Sequence, residues 1–175
     1  MQFQFTDEIG YPRDVVFATH RDRLAELIPY LPNVASVAVR ERVEDGGVVR
    51  LVNDWAGSSD DVPRLLRGLV KPEMMTWTDR ARWDGAAWRC DWETQINWLP
   101  DAVTAKGFNL FFDEGDRTVI KVTGDFIVHP DKIPGIPSIV ARGAAPTIEK
   151  WVLGLLEPNL KRSNRAVEQY LDDQG

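Results

Sequence analysis

The longest run of this chain whose apolar residues fall on one helical face is 146–171, PTIEKWVLGLLEPNLKRSNRAVEQYL. Leu153, Leu156, Leu160, Val167 and Leu171 recur at helical spacing, a period that no strand can use. Ile148, Val152 and Leu155 form a second row beside the first, so the front half of this helix is apolar over a wide arc and has to be nearly surrounded. Pro158 predicts a kink near Glu157. Most of the remaining chain alternates with the period of strands, and a sheet curled around one long helix is the simplest arrangement that buries both.

Residues 2–9 alternate, with Phe3, Phe5, Asp7 and Ile9 on one side. The following RDVVFATHRDRLAELIPYLP predicts one or two short helices carrying Val16, Phe17, Leu24, Leu27 and Ile28 inward, closed by Pro29 and Pro32. His20 falls between the two pieces and reads as an exposed junction residue. From Val34 to Val43 alternation resumes, with Val37, Val39 and Val43 on one face and Ser36, Arg40 and Arg42 on the other. Glu44-Asp45-Gly46-Gly47 is a hairpin turn into VVRLVNDWAG, where Val49, Leu51 and Trp55 share a face with Asn53. The stretch DDVPRLLRGLVKPE breaks the pattern as a short amphipathic helix, with Leu65 and Leu69 on one face and Arg64, Arg67 and Lys71 on another.

A meander follows. Met75, Trp77, Ala81 and Trp83 alternate inward together with Asp79, and Thr76, Thr78, Arg80 and Arg82 outward. After Asp84-Gly85, one face carries Trp88, Cys90, Trp92, Thr94, Ile96 and Trp98. The runs VTAKGFNLFF, with Asn109, and TVIKVTGDFIVHP, with Ile120, Val122, Phe126 and Val128 beside Gly124, complete one antiparallel sheet. The link HPDKIPGIPSIVARGA is a Pro- and Gly-rich loop with Ile133, Ile136, Ile139 and Val140. It and the helix at 62–71 are expected to rim a cavity and govern its opening.

Composition narrows the function classes. A length of 175 residues suits one domain spanning 1–175, and a net charge of −6 disfavours a nucleic-acid partner. The opening residues lack the pattern of a secretory signal and no stretch reaches the length of a membrane span, so a cytoplasmic protein is expected. The basic face at Arg64, Arg67 and Lys71 leaves room for a transient membrane contact, against the alternative of an ordinary solvated face. Cys90 is the only cysteine and His20 and His129 the only histidines. Neither histidine lies in a metal-ligand or nucleophile motif, so no metal, no cofactor and no hydrolase triad is expected. Asn53, Asp79, Thr94 and Asn109 interrupt apolar rows. Each is either a partnered structural group or a polar contact in a pocket, and Asp79 is the one candidate for acid/base catalysis, its alternatives being a pairing with an Arg or an amide, or a strand register that places it outside.

The order of elements, with YPRDVVFATHRDRLAELIPYLPNV after the first strand and IEKWVLGLLEPNLKRSNRAVEQYL at the end, resembles the START-like superfamily, the helix-grip fold of lipid-transfer and polyketide-cyclase proteins. That resemblance implies an α+β fold, a curved antiparallel sheet of about seven strands wrapped around the long C-terminal helix. It also implies an internal cavity for a hydrophobic or amphipathic small molecule such as a lipid, isoprenoid or polyketide. Leu51, Asn53, Trp55, Trp77, Asp79, Trp92, Thr94, Asn109, Phe126, Val152 and Leu155 are the expected lining. A small cyclase- or dehydratase-like enzyme, or an interaction domain whose inward side chains fill a solid core, are the alternatives. The superfamily has no universal catalytic motif to carry over, and oligomeric state is left open.

Overall fold

Period-two alternation carries seven runs of the chain into strands: β1 (Gln2–Ile9), β2 (Val34–Asp45), β3 (Val48–Gly57), β4 (Thr76–Asp84), β5 (Arg89–Ile96), β6 (Val103–Asp113) and β7 (Thr118–Val128). A computed structural model of the chain describes residues 1–58, 72–98, 100–129, 132 and 160–175. The strands form one antiparallel sheet in the order β1-β7-β6-β5-β4-β3-β2. Each strand from β2 to β7 pairs with its neighbour in sequence, and β1 returns to pair with β7. The tightest connection, between β2 and β3, turns on Gly46 and Gly47 with φ of 55° and 84°, a left-handed pair that glycine adopts without strain.

Two helices cover one face. Helix α1 (Arg13–Asp22) buries Val16 and Phe17. Phe17 meets Trp83, Trp88 and Phe111 edge to face, with ring centroids 5.1, 5.3 and 5.1 Å away. Such pairs add about 0.5–1.5 kcal/mol each beyond their buried area, so Phe17 is the anchor of α1. Helix α2, residues 160–174, sets fully buried Ala166 and Val167 against the same core. Its C-terminal end is tied down by hydrogen bonds from Tyr11 and Tyr30 to Asp172 and Asp173. The sheet with its C-terminal helix is the expected α+β helix-grip arrangement. The front half of the long helix with Val152 and Leu155, the kink at Pro158, the helix at 62–71 and the loop at 133–140 lie outside the described residues.

Three readings of the sequence need correction. His20 is buried, not an exposed junction residue: its Nδ1 is 3.0 Å from the Val16 carbonyl and its Nε2 3.2 Å from Asn164 Oδ1. Asn164 in turn donates to Asp7, so α1, α2 and β1 are joined by one polar chain. In β2 the alternation is broken by a bulge between Val39 and Glu41. An extra residue there reverses the faces, so Arg42 lies opposite inward Leu51 and reaches Asp22 of α1, while Val43 turns outward. In β5 the strand is shorter than its alternation: Trp88 sits in the preceding turn at φ 49°, and Trp98 lies beyond the strand and is exposed.

Gly107 and Gly124, opposite each other on β6 and β7, mark the closest approach in the sheet. A Cβ on Gly107 would stand 2.2 Å from the Thr123 carbonyl oxygen and 2.7 Å from the Trp92 ring. The backbone contact cannot be relieved by a rotamer change. Gly107→Ala is therefore expected to cost about 3 kcal/mol in urea denaturation. A loss under half that would mean that Trp92 and the two strands do not meet as described.

Candidate functional site

Strand pairing arranges the inner face into rows that cross the sheet. One row runs Leu51, Ala81, Trp92, Gly107, Gly124 and Phe3. The next runs Asn53, Asp79, Thr94, Ala105 and Phe126, and beyond it stand Trp55, Trp77 and Ile96. Every sequence-expected lining residue among those described therefore lies on this one face. They differ in burial. Leu51, Asn53 and Phe126 are fully buried, whereas Trp55, Trp77, Asp79, Trp92, Thr94 and Asn109 are half-buried. These half-buried side chains keep part of their surface accessible.

The relief of the face follows from side-chain size. Trp92 lies down along its own row: its ring leans across Gly107 and Gly124 toward Phe3, with centroids 6.4 Å apart. Its Nε1 donates to Asn109 Oδ1 at 2.9 Å, which fixes that direction. Trp55 and Trp77, opposite each other on β3 and β4, hold parallel rings 5.9 Å apart at 5°. Between Trp92 and this pair runs the row Asn53, Asp79, Thr94, Ala105 and Phe126, in which Thr94 and Ala105 are small, and Ala81 beside Trp92 is small as well. Successive inward rows are about 7 Å apart, so Asp79 sits between aromatic walls.

Asp79 has neutral partners. Asn53 Nδ2 donates to one carboxylate oxygen at 3.3 Å and Thr94 Oγ1 to the other at 3.4 Å. Both bonds are long, and among the described residues no cation forms an ion pair with this group. Loss of solvent around the carboxyl outweighs the two donors and pushes its pKa up to about 6. Register places Asp79 on the inner face, with Asn53 as its amide partner and Thr94 beside it. Asn53 Oδ1 and Trp55 Nε1 are buried without partners among the described residues. Cys90, two rows away, is buried, with burial first and then Asp79 and Asp91 pushing its thiol well above the usual range. Such a thiol is protonated and inert. Among the described residues no group of three or more His, Cys, Asp or Glu is placed to hold a metal ion.

The opposite face is different in kind. A groove of about 820 Å³ crosses it, and its floor is the backbone of the row that carries Ala81 and Gly107 on the inner side. Its wall includes Arg80, Glu93, Lys106 and Asp125 in adjacent registers, an alternating ladder of charge suited to solvent. The inner face differs from it in carrying apolar walls beside poorly solvated polar groups.

The sequence reading missed Asn164 and the partnership of His20. A signal was present, since Asn164 falls in the stripe with Leu160, Val167 and Leu171, and an amide there has to find a buried partner.

The raised Asp79 pKa has a consequence for stability. From pH 3.8 to about 6 the folded chain holds this proton more tightly than the unfolded chain, so the carboxyl's contribution falls as pH rises through that window. Above it the penalty is constant, at most about 3 kcal/mol. Asp79→Asn keeps an acceptor for Asn53 and removes the charge. Chemical denaturation is expected to find the variant gaining stability relative to the parent between about pH 4 and pH 7. A difference that stays flat over that range would mean that Asp79 is solvated.

No protein-family model matches the sequence, and no curated protein matches it either. Solved structures do. A protein from Thermus thermophilus superposes with a TM-score of 0.70 at 18% identity, covering 100% of this chain and 99% of its own. The Zhui aromatase/cyclase from Streptomyces sp. R1128 gives 0.67 at 18% identity over 97% and 92%, and truncated norcoclaurine synthase from Thalictrum flavum gives 0.61 at 16% over 98% and 92%. A START superfamily protein from Mycobacterium smegmatis gives 0.53 at 14% over 99% of both chains. Identities this low speak for architecture alone. The chain therefore has the START-like helix-grip fold.

Proposed function

We propose that this protein binds a hydrophobic or amphipathic small molecule on the inner face of its sheet, over the recess at Ala81, Ala105 and Thr94. The observation that carries the reading is the set of half-buried side chains on that face: Trp55, Trp77 and Trp92 around Asp79 and Thr94. Apolar and aromatic walls with a few convergent polar groups are how small-molecule sites are usually lined. Leu51, Asn53, Asn109 and Phe126 support that wall, and Val152 and Leu155 belong to the proposed lining on the strength of the sequence. Transport of the molecule and a transient membrane contact through Arg64, Arg67 and Lys71 would be extensions of the same activity. Among the described residues no helix is long and apolar enough to cross a membrane.

A second reading is favoured by one feature. A carboxyl with a pKa of about 6 beside a recess is suited to general acid or base work on a bound ligand. The aromatase/cyclase and norcoclaurine synthase among the structural neighbours give this reading its class, a small cyclase- or dehydratase-like enzyme.

Native mass spectrometry of the gently purified protein is expected to show a co-purifying small molecule that leaves on mild activation. Trp77→Ala in a folded variant should reduce its occupancy several-fold, as loss of an aromatic wall costs about 1–3 kcal/mol. A bare chain at every activation energy, together with no change in tryptophan fluorescence on titration with fatty acids or polycyclic aromatics, would remove the binding function.

A further inference from the structure

The polar centre of the recess has an excess of acceptors. Asp79 offers two carboxylate oxygens held by two long hydrogen bonds from neutral groups. Asn53, 1% exposed, gives Asp79 its amide N–H, and its own Oδ1 is closed off from solvent and meets no donor among the described residues. Asn109, whose Oδ1 takes the Trp92 N–H, stands two rows away on β6 and belongs to another part of the face. The spare donor nearby is the Nε1 of Trp55, one row away, and it carries no charge. No cation among the described residues pairs with the carboxylate. This contrasts with the outer face and the ends of the sheet, where Arg42, Arg82, Arg89 and Arg165 each hold an acidic partner.

A lone carboxylate at the bottom of an apolar recess is costly unless something positive comes to it. The walls suit such a visitor. The faces of tryptophan rings attract organic cations, and parallel Trp55 and Trp77 stand one row from Asp79, with Trp92 on the other side. From these juxtaposed features we infer that the recess takes an organic ammonium ion carrying an apolar or aromatic body, its N–H groups on Asp79 and its charge against the tryptophans. The inference rests on the small-molecule reading above and narrows the ligand from apolar compounds in general to amphipathic amines.

Three probes of one shape separate the terms: naphthylethylamine, naphthylethanol and naphthylacetate, which are cationic, neutral and anionic near neutral pH. Calorimetric titration of the full chain at about pH 7.5, where Asp79 is ionised, is expected to rank them amine, alcohol, acetate, with the amine at least about ten-fold tighter than the alcohol. In Asp79→Asn the amine should fall to the level of the alcohol while the alcohol changes by no more than about two-fold. An alcohol as tight as the amine in the parent protein overturns the ammonium assignment and leaves the small-molecule site standing. Binding of oleate with none of the three probes has the same meaning. Failure of all four compounds to bind overturns both. The comparison of amine with alcohol in the parent protein decides the matter even if the variant does not fold.

Discussion

The approach of Trp92 to the backbone of Gly107 and Gly124 is the contact on which the inner face depends. With any larger residue at either position the ring would be lifted off β6 and β7 and swing toward the middle of the sheet. It would then occupy the space beside Asp79. Two absent side chains thus decide where the interior is filled and where it is low. The Trp92 hydrogen bond to Asn109 locks the ring in that place, so a residue that looks like a polar interruption on β6 serves to position an aromatic wall.

The same arrangement sets the electrostatics. Asp79 has lost much of its hydration, and its partners Asn53 and Thr94 are too weak as donors to offset that loss. Carboxylates elsewhere behave in the opposite way: Asp22, flanked by Arg21 and Arg42, has its pKa lowered despite partial burial. Asp79 is therefore held differently from an acid that serves only to join elements. The polar chain from His20 through Asn164 to Asp7 does that joining, and it lies at the α1–α2 end of the core beside Phe111, where burial pushes the imidazole's pKa down.

Much of this was legible in the sequence because strand period and face assignment are set by local chemistry. Alternation placed Leu51, Asn53, Trp55, Trp77, Asp79, Trp92, Thr94, Asn109 and Phe126 on one face, and the turns at Gly46-Gly47 and Gly85 ended strands where expected. The β2 bulge was not legible, because β2 is an edge strand with solvent on most of its length, and neither face there is constrained enough to reveal a reversal at Arg40. The burial of His20 depends on Asn164, 144 residues away, which no local pattern reports. The distinction between packed and half-open rows was equally hidden. It follows from where the Trp92 ring points, and that is set by glycines on two other strands.

The central claim is that Asp79 is an enclosed carboxyl facing the space that a ligand fills. Carbon NMR of protein labelled at aspartate, with the Asp79 signal assigned through Asp79→Asn, reads this directly. The account predicts a midpoint near 6 in the free protein and a higher one when neutral naphthylethanol saturates the recess, because the bound molecule displaces the remaining solvent. A midpoint at the ordinary aspartate value, or one that a bound probe leaves unmoved, would contradict it.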